Sequence, residues 1–194
     1  MRLNNGRKLK SPKGVNTRPT TSRVRLATMN ILESKIVKAR WLDLFCGSGI
    51  MSCEALIYGA TAIVSIDRDY DAVKTSRYNL QTIQKDIRHP TSVALYKSDV
   101  LHWLDRRAGD VTAFDVIYMD PPYLGGMYEA TLNKIAEGRW INTNGLLVVE
   151  CNTSTFPIND RVWNLVNRRH YGKTSILYFN LREQHHDGTD SKPQ

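Results

Sequence analysis

Short, nearly uninterrupted apolar runs recur along this chain with helix-length segments between them, and that alternation leaves few folds open. Runs with strand character fall at 41–46, 62–67, 92–97, 114–119 and 145–150, with helical stretches at about 49–58, 69–84, 99–106 and 127–137. A strand with one wet face alternates apolar and polar residues. Ala62-Ile63-Val64-Ser65-Ile66 and Gly145-Leu146-Leu147-Val148-Val149 do not. Strands of that kind are covered on both faces, so the pattern predicts an α/β fold with a doubly wound, Rossmann-like, mostly parallel sheet. The end of the chain breaks the rhythm. Val162-Trp163-Asn164-Leu165-Val166 and the apolar run 174–181 are separated by Arg168-Arg169-His170-Tyr171-Gly172-Lys173, which predicts an antiparallel C-terminal hairpin.

Ahead of the first strand, residues 1–20 read as extended and turn-rich. Thr20 or Thr21 is placed to cap a helix from near Ser22, with Val24, Ala27 and Ile31 on one face and Arg23 and Arg25 off it. The formal net charge is +8, and it is unevenly spread. Residues 1–32 hold Arg2, Arg7, Lys8, Lys10, Lys13, Arg18, Arg23 and Arg25 with no acidic residue, leaving 19 basic against 19 acidic residues beyond them. A basic arm on a neutral body suits either a polyanion or a solvated charge run. Pro12, Gly14, Pro19 and the Thr20-Thr21 pair, interleaved with the charges, suggest an ordered loop that presents donors to phosphates. The expected organisation is a basic extension over 1–36, a main domain over 37–183 and a flexible tail over 184–194.

Composition excludes several classes. No apolar run approaches membrane-spanning length and the start lacks an apolar signal core, so a cytoplasmic protein without membrane contact is expected. Cys46, Cys53 and Cys151 have neither disulfide-framework nor zinc spacing, and His185-His186 reads as a surface pair, so no metal is expected.

Two motifs carry chemistry. Trp41-Leu42-Asp43-Leu44-Phe45-Cys46-Gly47-Ser48-Gly49 ends an apolar strand in a glycine turn that opens a helix, where backbone can approach a ligand closely. A dinucleotide site wants a third glycine three positions after Gly49, and Ser52 stands there. Asp67 closes the next strand 20 residues past Gly47, the spacing at which a carboxylate meets ribose hydroxyls. A nucleoside ligand without a pyrophosphate fits, as S-adenosylmethionine does; the other reading is a tight turn with Asp67 as a helix cap. The second motif is Asp120-Pro121-Pro122-Tyr123. Two prolines remove two backbone donors, so the corner accepts hydrogen bonds beside a flat ring. It suits an exocyclic amine on a nucleobase, or is a rigid loop whose tyrosine packs. Asp99, after the third strand, is placed to accept from an adenine amine or to cap a helix.

In this order these residues resemble the class I S-adenosylmethionine-dependent methyltransferases, and more narrowly the RsmD family of small-subunit (16S) ribosomal RNA guanine-N2 methyltransferases. The resemblance spans roughly 6–183. Besides the two motifs its carriers are Gly6-Arg7-Lys8-Leu9, Thr17-Arg18-Pro19-Thr20-Thr21-Ser22-Arg23-Val24-Arg25, Glu54-Ala55-Leu56, Asn79-Leu80 and Tyr171-Gly172-Lys173-Thr174. It implies methyl transfer from S-adenosylmethionine to guanine N2 at Asp120, Pro121, Pro122 and Tyr123. Cofactor contacts would come from Asp43, Phe45, Gly47, Ser48, Gly49, Asp67 and Asp99, and RNA contacts from Arg7, Lys8, Arg18, Thr20, Arg23 and Arg25. The implied partner is ribosomal RNA in a small-subunit assembly intermediate, bound by a monomer. Ser22, Leu26 and Ser65 depart from the family pattern, which has acidic residues there. The competing readings are a DNA adenine or glutamine methyltransferase, an NAD-dependent oxidoreductase and a non-catalytic RNA-binding protein.

Overall fold

The computed structural model describes residues 1–12, 20–107, 112–122, 126–154 and 161–182. Five helices, α1 (Ser22–Ile36), α2 (Ile50–Ile57), α3 (Tyr70–Gln84), α4 (Val100–Arg107) and α5 (Met127–Glu137), alternate with strands. The strands are β1 (Arg40–Leu44), β2 (Ala62–Asp67), β3 (Ser92–Lys97), β4 (Phe114–Met119), β5 (Ile141–Asn152), β6 (Trp163–Tyr171) and β7 (Thr174–Leu181). They form one sheet in the order β3-β2-β1-β4-β5-β7-β6. The first five run parallel, and β7 enters antiparallel between β5 and β6.

The apolar runs read as they do because successive residues serve opposite cores. Trp41, Tyr118, Val148 and Tyr178 face a layer built with α1, α2 and α3. Leu42, Ile117, Leu147 and Leu177 face one built with α4 and α5. Leu3, Leu9, Val24, Met29, Leu32 and Ile36 join the first layer, so the N-terminal extension shares the core of the sheet.

Three details differ from the expectation. The strand expected from 145 begins at Ile141, because the β4 register shifts between Phe114 and Val116. Gly145 permits that irregularity: a Cβ there would meet Ile141 Cγ1 at 2.5 Å and Asn142 O at 2.8 Å. Second, Arg168 to Tyr171 belong to β6 rather than to a loop. Gly172, at φ +64°, closes a two-residue turn with Lys173, and an edge strand tolerates polar residues on both faces. Third, α1 buries Val24, Arg25, Thr28, Met29, Leu32 and Ile36, while Ala27 and Ile31 are half-buried. Arg25 therefore lies on the inward face, against the expectation. Thr21 caps this helix, its Oγ1 accepting from Val24 N at 3.3 Å. Among the described residues no helix is long and apolar enough to cross a membrane, and no cluster suits a metal ion.

Candidate active site at the C-terminal edge of the sheet

In an open α/β sheet, ligands bind beyond the C-terminal strand ends where the order reverses. Here the reversal falls between β1 and β4, flanked by the Phe45–Gly49 turn and by Asp120. The two turn glycines have different reasons to be glycine. Both have positive φ, +52° at Gly47 and +71° at Gly49. A Cβ on Gly49 would stand 2.2 Å from Ser76 Oγ, so it lets α2 pack on α3. A Cβ on Gly47 would meet nothing within 4 Å, which leaves open space for a ligand. Phe45 also has positive φ, +65°, a strained conformation for a bulky residue that the surrounding structure must hold.

The turn is braced from three sides. Gly47 N donates to Asp67 Oδ2 at 2.8 Å, and Cys46 N to Ile66 O at 3.0 Å. Asn79 Nδ2 donates to Ser48 O and to Lys10 O, both at 3.0 Å, while its Oδ1 accepts from Lys10 N. The buried Asn79 carboxamide thus fastens the N-terminal extension to the turn. No spacing rule marks such a residue, and sequence reasoning gave it no site role. Asp67 is not a helix cap: Asp69 caps α3, accepting from Ala72 N at 2.7 Å, and Asp69 N donates back to Asp67 Oδ1. Asp99 does cap α4, with Oδ1 accepting from His102 N at 3.2 Å.

Asp43 is almost wholly buried and bound by Ser52 Oγ at 2.5 Å, which contacts Ser65 Oγ at 2.8 Å. Ser52, where a dinucleotide fold has glycine, and Ser65, a departure from the family pattern, are therefore one polar network beneath the turn. Burial pushes the Asp43 carboxyl up to about 7, against the lowering effect of Ser52, with a smaller upward push from Asp67. A carboxyl protonated in the folded protein but ionised in the unfolded chain withdraws stability as pH rises from about 4 to 7. The ligand-free protein should therefore melt at a lower temperature at pH 8 than at pH 5.5. Asp43→Asn should flatten that slope; an unchanged slope in the variant would remove Asp43 as its source.

Asp120 is half-buried at the end of β4, and Glu150 follows beside it because Met119 pairs with Val149. Burial, then the charges of Glu150 and Asp43, raise the Asp120 carboxyl well above the usual carboxylate range. Glu150 is a site residue that the sequence analysis missed, although it ends an apolar run as Asp120 does. Its Oε2 accepts from Tyr118 OH at 2.5 Å and from Thr20 Oγ1 at 2.9 Å. The paired threonines divide the work, Thr21 capping α1 and Thr20 joining the extension to Glu150. Pro121 is buried and Pro122 exposed. Tyr128 OH lies 3.5 Å from Pro121 O and 3.4 Å from Glu150 O, so a hydroxyl donor does stand near the corner. Tyr123 lies outside the described residues.

The basic residues separate into two kinds. Lys8 and Arg23 are exposed. Arg7 is ion-paired with Asp86 and donates to Thr82 O at 3.1 Å. Arg25 corrects the expectation of an RNA contact: it is 2% exposed, and its Nε donates to Glu54 Oε1 at 2.8 Å. Arg18 lies outside the described residues.

The family model described as Conserved hypothetical protein 95 matches residues 3–180. The ribosomal RNA small subunit methyltransferase D of Escherichia coli is 29% identical over 189 residues, covering 95% of this chain and 90% of that protein. The chain belongs to the RsmD family. YlbH of Bacillus subtilis is 33% identical over 179 residues, 91% of this chain and 95% of its own length. The solved yhhF structure from Escherichia coli superposes with a TM-score of 0.81 at 28% identity, covering 95% of this chain and 99% of that one. The fold is that of the class I methyltransferases. In this RsmD-family chain the three carboxylates Asp43, Asp120 and Glu150 sit on one sheet face, each two residues beyond a core side chain, Trp41, Tyr118 and Val148.

Proposed function

We propose that this chain transfers a methyl group from S-adenosylmethionine to the exocyclic N2 amine of a guanine in small-subunit ribosomal RNA, within an assembly intermediate. The observation that carries the reading is the Asp120-Pro121 corner at the switch point, next to an open glycine turn, in a chain of this family.

The residues present fit the cofactor. Asp43 and Asp120 take part in no ion pair among the described residues, yet both carboxyls are raised by burial. A cation in that cluster would favour their charged forms. S-adenosylmethionine supplies an electrophilic methyl group on a cationic sulfur. Gly47, Ser48 and Phe45 would hold it along the turn, and Asp67 would meet its ribose hydroxyls.

A guanine amine is a weak nucleophile because its lone pair is delocalised into the ring. Asp120 and the Pro121 carbonyl would accept its two N–H bonds, fixing its direction and stabilising the positive charge that develops on nitrogen. Tyr123 would stack on the extruded base, worth roughly 1–3 kcal/mol against an unstacking cost of a few kcal/mol. Proton loss from the methylated nitrogen passes to Asp120 or to water.

The test is incubation with S-adenosylmethionine and either free small-subunit RNA or partly assembled subunits, followed by nucleoside mass analysis. N2-methylguanosine is the expected product, most abundant with the assembled particle. N6-methyladenosine, or methyl groups on protein alone, would replace this reading with another amino-group methyltransferase.

A further inference from the structure

The overall charge balance conceals a second one-signed segment. Residues 161–182 contain Arg161, Arg168, Arg169, Lys173 and Arg182, with His170, and no Asp or Glu. The body outside the N-terminal extension is neutral in total, so the remainder of it is correspondingly acidic. The fold concentrates that acidity where the chemistry lies. Asp43, Asp67, Asp99, Asp120 and Glu150 all stand at or just beyond the C-terminal ends of β1 to β5. A polyanion is repelled by such an edge, so its phosphates must be held by cations around it.

The N-terminal extension covers one side. Asn4 N reaches Glu54 on α2, and Arg7 and Lys10 reach Thr82 and Asn79 on α3. On the other side, beyond β5, the sheet continues through β7 to β6. Both β5 and β6 are antiparallel to β7, so the C-terminal end of β6 lies at the catalytic edge. Glu150 pairs with Ile176, and Ile176 with Arg169, which puts Arg169 in the same row as Glu150 on the same face. Two strand spacings separate them, about 10 Å. Arg168, Arg169, His170 and Lys173 are all exposed there.

We propose that this end of β6, with its Gly172-Lys173 turn, is a second contact surface for the RNA backbone, gripping phosphates next to the nucleotide held at Asp120. The proposal rests on the RNA reading of the site. Basic residues on an edge strand also discourage edge-to-edge pairing. Protection of that kind belongs along the whole open strand, yet its first half has Asn164, Leu165 and Val166, the two apolar residues 39% and 46% exposed. The cations gather instead at the end beside the site.

The test is titration of full-length protein with small-subunit RNA at several salt concentrations, comparing wild type, Arg169→Ala/Lys173→Ala and the charge-preserving Arg169→Lys. The double variant should bind several-fold more weakly, with its log–log salt slope reduced by roughly 1 per removed cation. Its melting temperature should match wild type, and Arg169→Lys should retain wild-type binding. Wild-type affinity and slope in the double variant would overturn the proposal, as would retained affinity accompanied by new self-association in sedimentation, which assigns the cations to edge protection. Hairpin-dependent RNA binding without any methyl transfer would sink the enzymatic reading and leave this surface standing. Methyl transfer with an indifferent double variant does the reverse.

Discussion

Asp120→Ala should lower methyl transfer by at least about 10²–10³-fold, the loss typical when one preorganised group facing developing charge is removed. Affinity for S-adenosylmethionine should fall far less than turnover, because the turn at Phe45–Gly49 and Asp67 does not depend on Asp120 and the Asp43 carboxyl remains. The Asp120 carboxyl is raised by burial and by its neighbours Glu150 and Asp43, so in the free protein it ionises at higher pH than an ordinary carboxylate. The ionised form is the stronger acceptor for its one N–H and alone faces a developing positive charge with a full negative charge. Turnover should therefore rise with pH through the range in which Asp120 ionises. Asp120→Asn keeps the shape and one acceptor oxygen but no charge, so it should fall between wild type and alanine and lose that pH dependence. Wild-type turnover in Asp120→Ala would remove Asp120 from the reaction.

The parts of this arrangement that could be read from sequence are those fixed by local chemistry. The two-faced apolar runs required a covered parallel sheet, and the doubly wound architecture follows. The glycine turn, Asp67 and the Asp-Pro-Pro corner were visible because each combines a strand end with residues that have few other uses. The connections between distant segments were not visible. Glu150 looked like the last residue of a strand until Thr20, 130 positions earlier, proved to donate to it. Asn79 lay within an ordinary amphipathic helix. Arg25 looked like one more cation in a basic run, since charge counting has no means of telling a paired, buried guanidinium from a solvated one.

That arginine carries the second large effect. Arg25→Ala should destabilise the protein by about 3–5 kcal/mol, the usual consequence of removing one partner of a buried ion pair. In a chain of this length that corresponds to a drop of roughly 6–20 °C in melting temperature. The guanidinium donates to Glu54 Oε1 at 2.8 Å and to Arg2 O at 2.5 Å, and Glu54 Oε1 also accepts from Asn4 N at 2.7 Å. One carboxylate and one guanidinium therefore join α1, α2 and the first residues of the chain. Burial raises the Glu54 carboxyl despite the opposing effects of Asn4 N and Arg25, and its Oε2 has no hydrogen-bond partner among the described residues. Desolvation thus outweighs the attraction even while the pair is intact, and an unpaired Glu54 would be costlier still. Arg25→Met/Glu54→Leu removes both charges and fills the space, so it should regain much of the loss, short of the bond from Asn4 N. The double variant would still lack the tie to Arg2 O, which orders the extension over α2 and α3. Its melting temperature should recover further than its RNA affinity. Equal recovery of both would mean that the pair serves packing alone, whereas a double variant no more stable than Arg25→Ala would show the ion pair itself to be net stabilising.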